Sequence, residues 1–133
     1  MGNKYWYGKQ RTIEVGISAV NSGSTAEVPV FVAPFRCKIK KASIVPQSAI
    51  TGAQTNNMVL GFYSRGTDGT STSNIVSLTF TNGVDASAYA EKDLGSLSNN
   101  VLNLATVVTF FKDENGSGMN MPNLLAKLEV VRV

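Results

Sequence analysis

The feature that most constrains this chain is a recurring alternation of apolar and polar residues in short runs, each stopped by turn-forming residues. The clearest run follows the polar loop Thr51 to Asn57. There Met58, Leu60 and Phe62 fall on one face of an extended chain and Val59, Gly61 and Tyr63 on the other. Leu124 to Val133 alternates in the same way. A period of two belongs to strands with one covered face, so these segments predict a packed sheet rather than amphipathic helices.

The same reading extends along the chain. Ile13, Val15, Ile17 and Ala19 alternate with Glu14, Gly16 and Ser18 until Asn21-Ser22-Gly23-Ser24 turns the chain. Glu27 to Ala33 puts Val28, Val30 and Val32 on one face, with Pro29 and Phe31 on the other. Pro29 has no N–H to give a ladder, which predicts a sheet edge or a bulge. Cys37 and Ile39 then face one way and Arg36, Lys38 and Lys40 the other. Lys41 breaks the alternation, and Ala42 and Ile44 resume it one residue out of phase, which predicts a β-bulge near Lys40-Lys41. Val76, Leu78 and Phe80 align before Asn82-Gly83, and Ala105 to Phe111 runs towards Asp113-Glu114-Asn115-Gly116. Between residues 84 and 100 no period dominates, and Ala86 to Asp93 suits either one helical turn or a loop. About seven or eight strands at short spacing predict an all-β sandwich or barrel, with a jelly roll of about eight antiparallel strands favoured. Residues 1–10 read as an extended N-terminal arm and residues 11–133 as a single β-sandwich domain.

Composition narrows the chemistry. With no histidine, triads built on histidine and imidazole metal ligands are excluded. Cys37 is the only cysteine and its register with Ile39 predicts a buried thiol. The nine Asp and Glu residues fall mostly in turns or on solvent faces, unlike paired carboxylates across a cleft. Asp113 to Gly116 has the wrong spacing for a calcium loop, and Gly66 to Gly69 lacks the lysine of a phosphate loop. No enzymatic activity, cofactor or metal is therefore expected. No membrane-spanning apolar run, secretory signal or complete myristoylation pattern occurs, so the chain is expected to be made and used without export and without a membrane partner.

What remains are candidate contact surfaces. Tyr5, Trp6 and Tyr7 lie between Lys4 and Lys9 in the arm, and they are residue types that anchor interfaces. Ten extended residues reach roughly 33–36 Å, enough to cross onto a neighbouring subunit. The loop residues Thr51, Gln54, Thr55, Asn56 and Asn57, with Met119, Asn120 and Met121, form a second candidate for contact with another subunit or protein. Arg36, Lys38, Lys40 and Lys41 form a basic face. It lacks interleaved aromatics, and a net charge of +3 is small, so nucleic acid is not expected as a partner.

Several segments resemble small structural proteins encoded beside the capsid genes of tailed bacteriophages. They are Val32-Ala33-Pro34-Phe35 before a basic strand, ITGAQTNNMVLGF, a Gly-rich turn with the strand Ile75 to Phe80, VVTFFKDENGSGMNMPNLL and LAKLEVV. Together they span most of residues 12–133. The resemblance implies a jelly-roll capsid decoration protein. Such a protein is a homotrimer at a symmetry axis of the virion, bound to the capsid exterior and to the major capsid protein. A carbohydrate-binding or tail-appendage β-sandwich module is the alternative.

Overall fold

Each alternating run becomes an antiparallel strand because a sheet can present every second side chain to one apolar interior. The computed structural model describes residues 10–133. These contain β1 (Gln10–Ile17), β2 (Ala26–Val32), β3 (Cys37–Pro46), β4 (Asn57–Ser64), β5 (Ser73–Thr79), β6 (Lys92–Asp93), β7 (Val101–Leu102), β8 (Val107–Asn115) and β9 (Leu124–Arg132), and no helix. One sheet has the order β1-β9-β3-β6, with β7 also on β3, and the other the order β2-β8-β4-β5. β6 pairs with Ser43 and Ile44, and β7 with Lys38 and Cys37, so they act as one interrupted neighbour of β3. Counted so, four strands face four in the order of a jelly roll.

The interior follows from the inward rows. Ile39, Ala42, Ile44, Leu128 and Val130 of the first sheet lie within the same buried cluster as Met58, Leu60, Phe62, Val108 and Phe110 of the second. Phe62 and Phe110 meet edge to face, with ring centroids 5.4 Å apart at 73°, an arrangement that suits the ring quadrupoles.

Both predicted irregularities are present. Ile39 pairs with Val130 and Lys41 with Glu129, which leaves Lys40 as the extra residue of a bulge. Pro29 lies on the edge strand β2, and the register with β8 breaks between Pro29 and Phe31. That second break corrects the predicted face of β2. Phe31 now partners Val108 and packs against the core, while Val32 is 56% exposed. The segment Ala86 to Asp93 forms no helical turn. Ala86 instead bridges to Ile50, and Leu94 donates its N–H to Ala42 at 3.0 Å.

The outer face of the second sheet is closed by a stack. Tyr63 lies flat on Phe111 at 4.0 Å and 7°. Gly61 is the cross-strand partner of Phe111, and a Cβ there would collide with the Val76 carbonyl and come within 2.7 Å of the Phe111 ring. Beside the stack, the Glu27 carboxylate accepts from two guanidinium nitrogens of Arg65 and, at 2.6 Å, from the Thr109 hydroxyl.

The connections β1–β2, β3–β4, β5–β6 and β8–β9 all lie at one end of the sandwich, called here the loop end. Lys112 reaches that end from inside. It is 2% exposed, and its ammonium donates to the Asn21 and Ser24 carbonyls at 3.0 and 2.7 Å and to Glu114 at 2.6 Å. Glu114 also accepts the N–H groups of Gly23 and Met119, each at 3.1 Å. One ion pair thus ties the β1–β2 loop to the β8–β9 loop.

Two stability predictions follow from these contacts. Gly61→Ala forces a shift of packed backbone and ring, and urea unfolding is expected to register a loss of about 1–3 kcal/mol. Glu114, Glu91 and Glu27 are held below the ordinary value of 4.5, chiefly by Lys112, the Ser43 hydroxyl and Arg65 respectively. A depressed carboxyl contributes stability that is present above its ordinary value and lost as pH falls through its folded value. Denaturation midpoints are therefore expected to be flat near neutrality and to drop below about pH 4.5, with a shallower drop in Glu114→Gln.

Candidate functional site

The exposed polar loop residues and the exposed aliphatic side chains Val32, Val101, Leu104 and Val133 lie at opposite ends of the sandwich. At the loop end, Thr51, Gln54, Thr55 and Asn56 are exposed, as is Asn120. They are brought together because Asn56 Oδ1 accepts the Ser117 N–H at 2.9 Å across the β3–β4 and β8–β9 loops. Two predicted contact residues are not on this surface. Asn57 is 4% exposed and its amide donates to Ala53 O at 2.9 Å, while its side-chain oxygen accepts from Asn115 at 2.8 Å. Met121 is 1% exposed and bridges to Val20. Both are fixed by the need to close the barrel of loops over the core, which withdraws them from any partner. Met119 is half-buried against the core. Tyr5, Trp6 and Tyr7 lie outside the described residues.

The basic face is less uniform than the spacing implied. Lys41 pairs with Glu91 at 3.4 Å, and Glu91 also meets Lys127 at 3.5 Å. Lys38 sits between Val131 and Val101 in one cross-strand row that begins at Gln10. Lys40 is exposed at its bulge and Arg36 in the β2–β3 turn. These four therefore form two local neighbourhoods, one in which Lys41 shares Glu91 with Lys127 and one in which Lys38 is mixed with valines.

The end opposite the loops was not singled out by the sequence. Val32, Val101, Leu104 and Val133 are exposed there, Leu104 at 62%. Backbone bonds hold their segments together: Ala33 donates to Thr106 O at 2.9 Å, Ala105 to Ala33 O at 2.8 Å and Val133 to Arg36 O at 3.2 Å. Ala105 adopts φ 71°, a left-handed conformation that turns the β7–β8 connection tightly next to exposed Leu104. The Arg132 guanidinium covers the Phe35 ring at 4.4 Å and completes this apolar end. Gln10, the first described residue, pairs with Val131 at the same end. The only sequence signal for this group was the Val-Ala-Pro-Phe turn, whose outward valine depends on the β2 bulge.

No group of three or more His, Cys, Asp or Glu side chains able to hold a metal occurs among the described residues. Cys37 is 0% exposed, and burial raises its thiol above the ordinary value. It is expected to resist a thiol reagent in the native protein and to react on unfolding; rapid native labelling would contradict the buried register.

No family model and no curated protein matches the chain. Five solved chains match it in structure. One, from the structure of infectious bursal disease virus Gx strain, has a TM-score of 0.45 and 12% identity over 93% of this chain and 32% of that chain. Another, from the Gt strain of the same virus, has a TM-score of 0.41 and 12% identity over 93% of this chain and 33% of that one. The chain thus spans about a third of the length of those two solved chains. The fold assignment rests on the strand order.

Proposed function

We propose that this chain is a structural virion protein that decorates a bacteriophage capsid, binding the outer surface of the major capsid protein shell through its apolar end. The observation that carries the reading is the group Val32, Val101, Leu104 and Val133, exposed on segments that are themselves rigidly hydrogen-bonded. Exposed apolar side chains gathered at one place mark interaction surfaces, and a preformed one loses little entropy on docking. The first described residue, Gln10, begins β1 at the same end. The polar loop end then projects away from the shell, with Thr51, Gln54, Thr55, Asn56 and Asn120 available to neighbouring copies or to the medium. Binding only to an assembled shell stabilises that shell by mass action, and association into a trimer multiplies weak contacts.

The test uses shells assembled without this protein. Wild-type chain is expected to co-sediment with them and to appear on their exterior by cryo-electron microscopy. The double variant Val32→Asp, Leu104→Asp should lose shell occupancy by at least about tenfold, because two charges would be desolvated at the contact. Its melting temperature should stay near wild type, since both side chains are exposed. Equal decoration by the variant, or density confined to a tail, would overturn the reading. Sedimentation equilibrium of the isolated chain tests the trimer, and a monomer at every concentration would remove that part.

A further inference from the structure

We propose that the outer face of the first sheet carries, near the loop end, a binding site for a neutral saccharide. The site is a shallow trough of about 590 Å³. Its floor is set by cross-strand register, in which Gly16, Leu125 and Val45 are direct partners across β1, β9 and β3. Leu125 and Val45 are half-buried, and a Cβ built on Gly16 would meet nothing within 4 Å. Glycine in a strand interior weakens the sheet and leaves a gap on its face; here the gap is the trough.

Tyr89 forms one wall. It is 77% exposed, yet its backbone is held at φ 59° by an N–H bond to Pro46 O at 2.8 Å. A bulky residue in left-handed conformation is a strained outlier, and such strain is retained where it positions a group for use. Burial within this chain does not repay it, because the side chain stays in solvent.

The far rim is built from uncharged hydrogen-bonding groups. Asn123 Oδ1 accepts from Ala19 N at 2.8 Å, Asn123 Nδ2 donates to Gln47 Oε1 at 2.9 Å, and Gln47 N donates to Asn123 O at 2.8 Å. Both carboxamides are thereby fixed. Gln47 Nε2 and the Ser18 hydroxyl remain as groups a ligand can use, since no bond among the described residues takes them. The trough lining contains no Asp, Glu, Lys or Arg.

That combination selects its occupant. A pyranose offers an apolar C–H face to an aromatic ring and hydroxyls to a fixed amide and a hydroxyl. Sites for small ligands have this make-up, an apolar floor with a few placed polar groups. A phosphate or carboxylate ligand would find no counter-charge. The trough and the apolar end are at opposite ends of the sandwich, so saccharide binding neither requires nor excludes attachment to a shell. Tests on the isolated chain therefore separate the two proposals.

The experiment is a titration of the ¹⁵N-labelled full chain with maltotriose and, separately, with triacetylchitotriose, to millimolar concentration. At least one is expected to give saturable amide shifts confined to Gly16, Gln47, Tyr89, Leu125 and their neighbours. Gly16→Val puts a branched side chain into the trough at a position whose Cβ meets nothing within 4 Å, and Tyr89→Ala removes the ring; each should weaken binding by about tenfold or more. Tyr89→Gly should raise the melting temperature while losing the sugar, because glycine accepts φ 59° freely. The proposal is overturned if neither sugar shifts these amides, if Gly16→Val binds as well as wild type, or if sialyllactose binds better than both neutral probes. It is also overturned if light scattering shows a dimer that Tyr89→Ala dissociates, since a second copy would then be the occupant.

Discussion

Lys112 carries the one charged side chain that the described sandwich buries, and the loop end is organised around it. An ammonium taken out of water is costly unless its donors are all met. Here two carbonyls of the β1–β2 loop and the Glu114 carboxylate meet them. The same carboxylate then accepts two backbone N–H groups, one from each of the loops it joins. Such a cluster adds less to net stability than apolar packing of equal volume would, but it allows only one arrangement of its members. Its value to this fold is definition: two loops that cross between sheets are pinned to a strand that belongs to the core.

That pinning has consequences at a distance. With the β8–β9 loop fixed, Asn123 enters β9 in a set position and can lock both Ala19 and Gln47. The row Gly16, Leu125 and Val45 lies immediately inside it. The trough beside Tyr89 is therefore a product of register, and register in turn is protected by the buried inner rows. A slip of one residue in β1 would send Ile13, Val15 and Ile17 to solvent. The apolar end needs no comparable clasp, because short backbone hydrogen bonds among Ala33, Ala105, Thr106, Arg36 and Val133 hold it.

Alternation made most of the architecture legible, since period two survives in any strand with one covered face. The slip at Lys41 exposed the β3 bulge for the same reason: an inserted residue leaves a phase error that the eye can follow. The β2 bulge was signalled by Pro29 but left no phase error to show which residues change face. Val30, Phe31 and Val32 are all apolar, so a phase change among them is silent, and the outward Val32 was assigned inward. Lys112 was silent in another way. It follows two phenylalanines in a strand whose next residues are acidic, and nothing local says that a lysine there turns inward. Asn57 and Met121 looked like loop contacts because polarity and turn context do not reveal which loop residue a neighbouring loop will cover.

Surfaces formed across strands are the least legible of all. Leu104 is 62% exposed and Tyr89 77%, and in the sequence each is one apolar or aromatic residue within a loop. Their placement comes from partners far along the chain, Ala33 for Ala105 beside the first and Pro46 for the second. Both are placed by a left-handed residue, Ala105 beside Leu104 and Tyr89 itself. A protein that only needed to fold would put glycine or asparagine at such positions. Keeping larger residues there places the two most exposed large apolar side chains among the described residues at opposite ends of the sandwich, where packing within this chain uses neither.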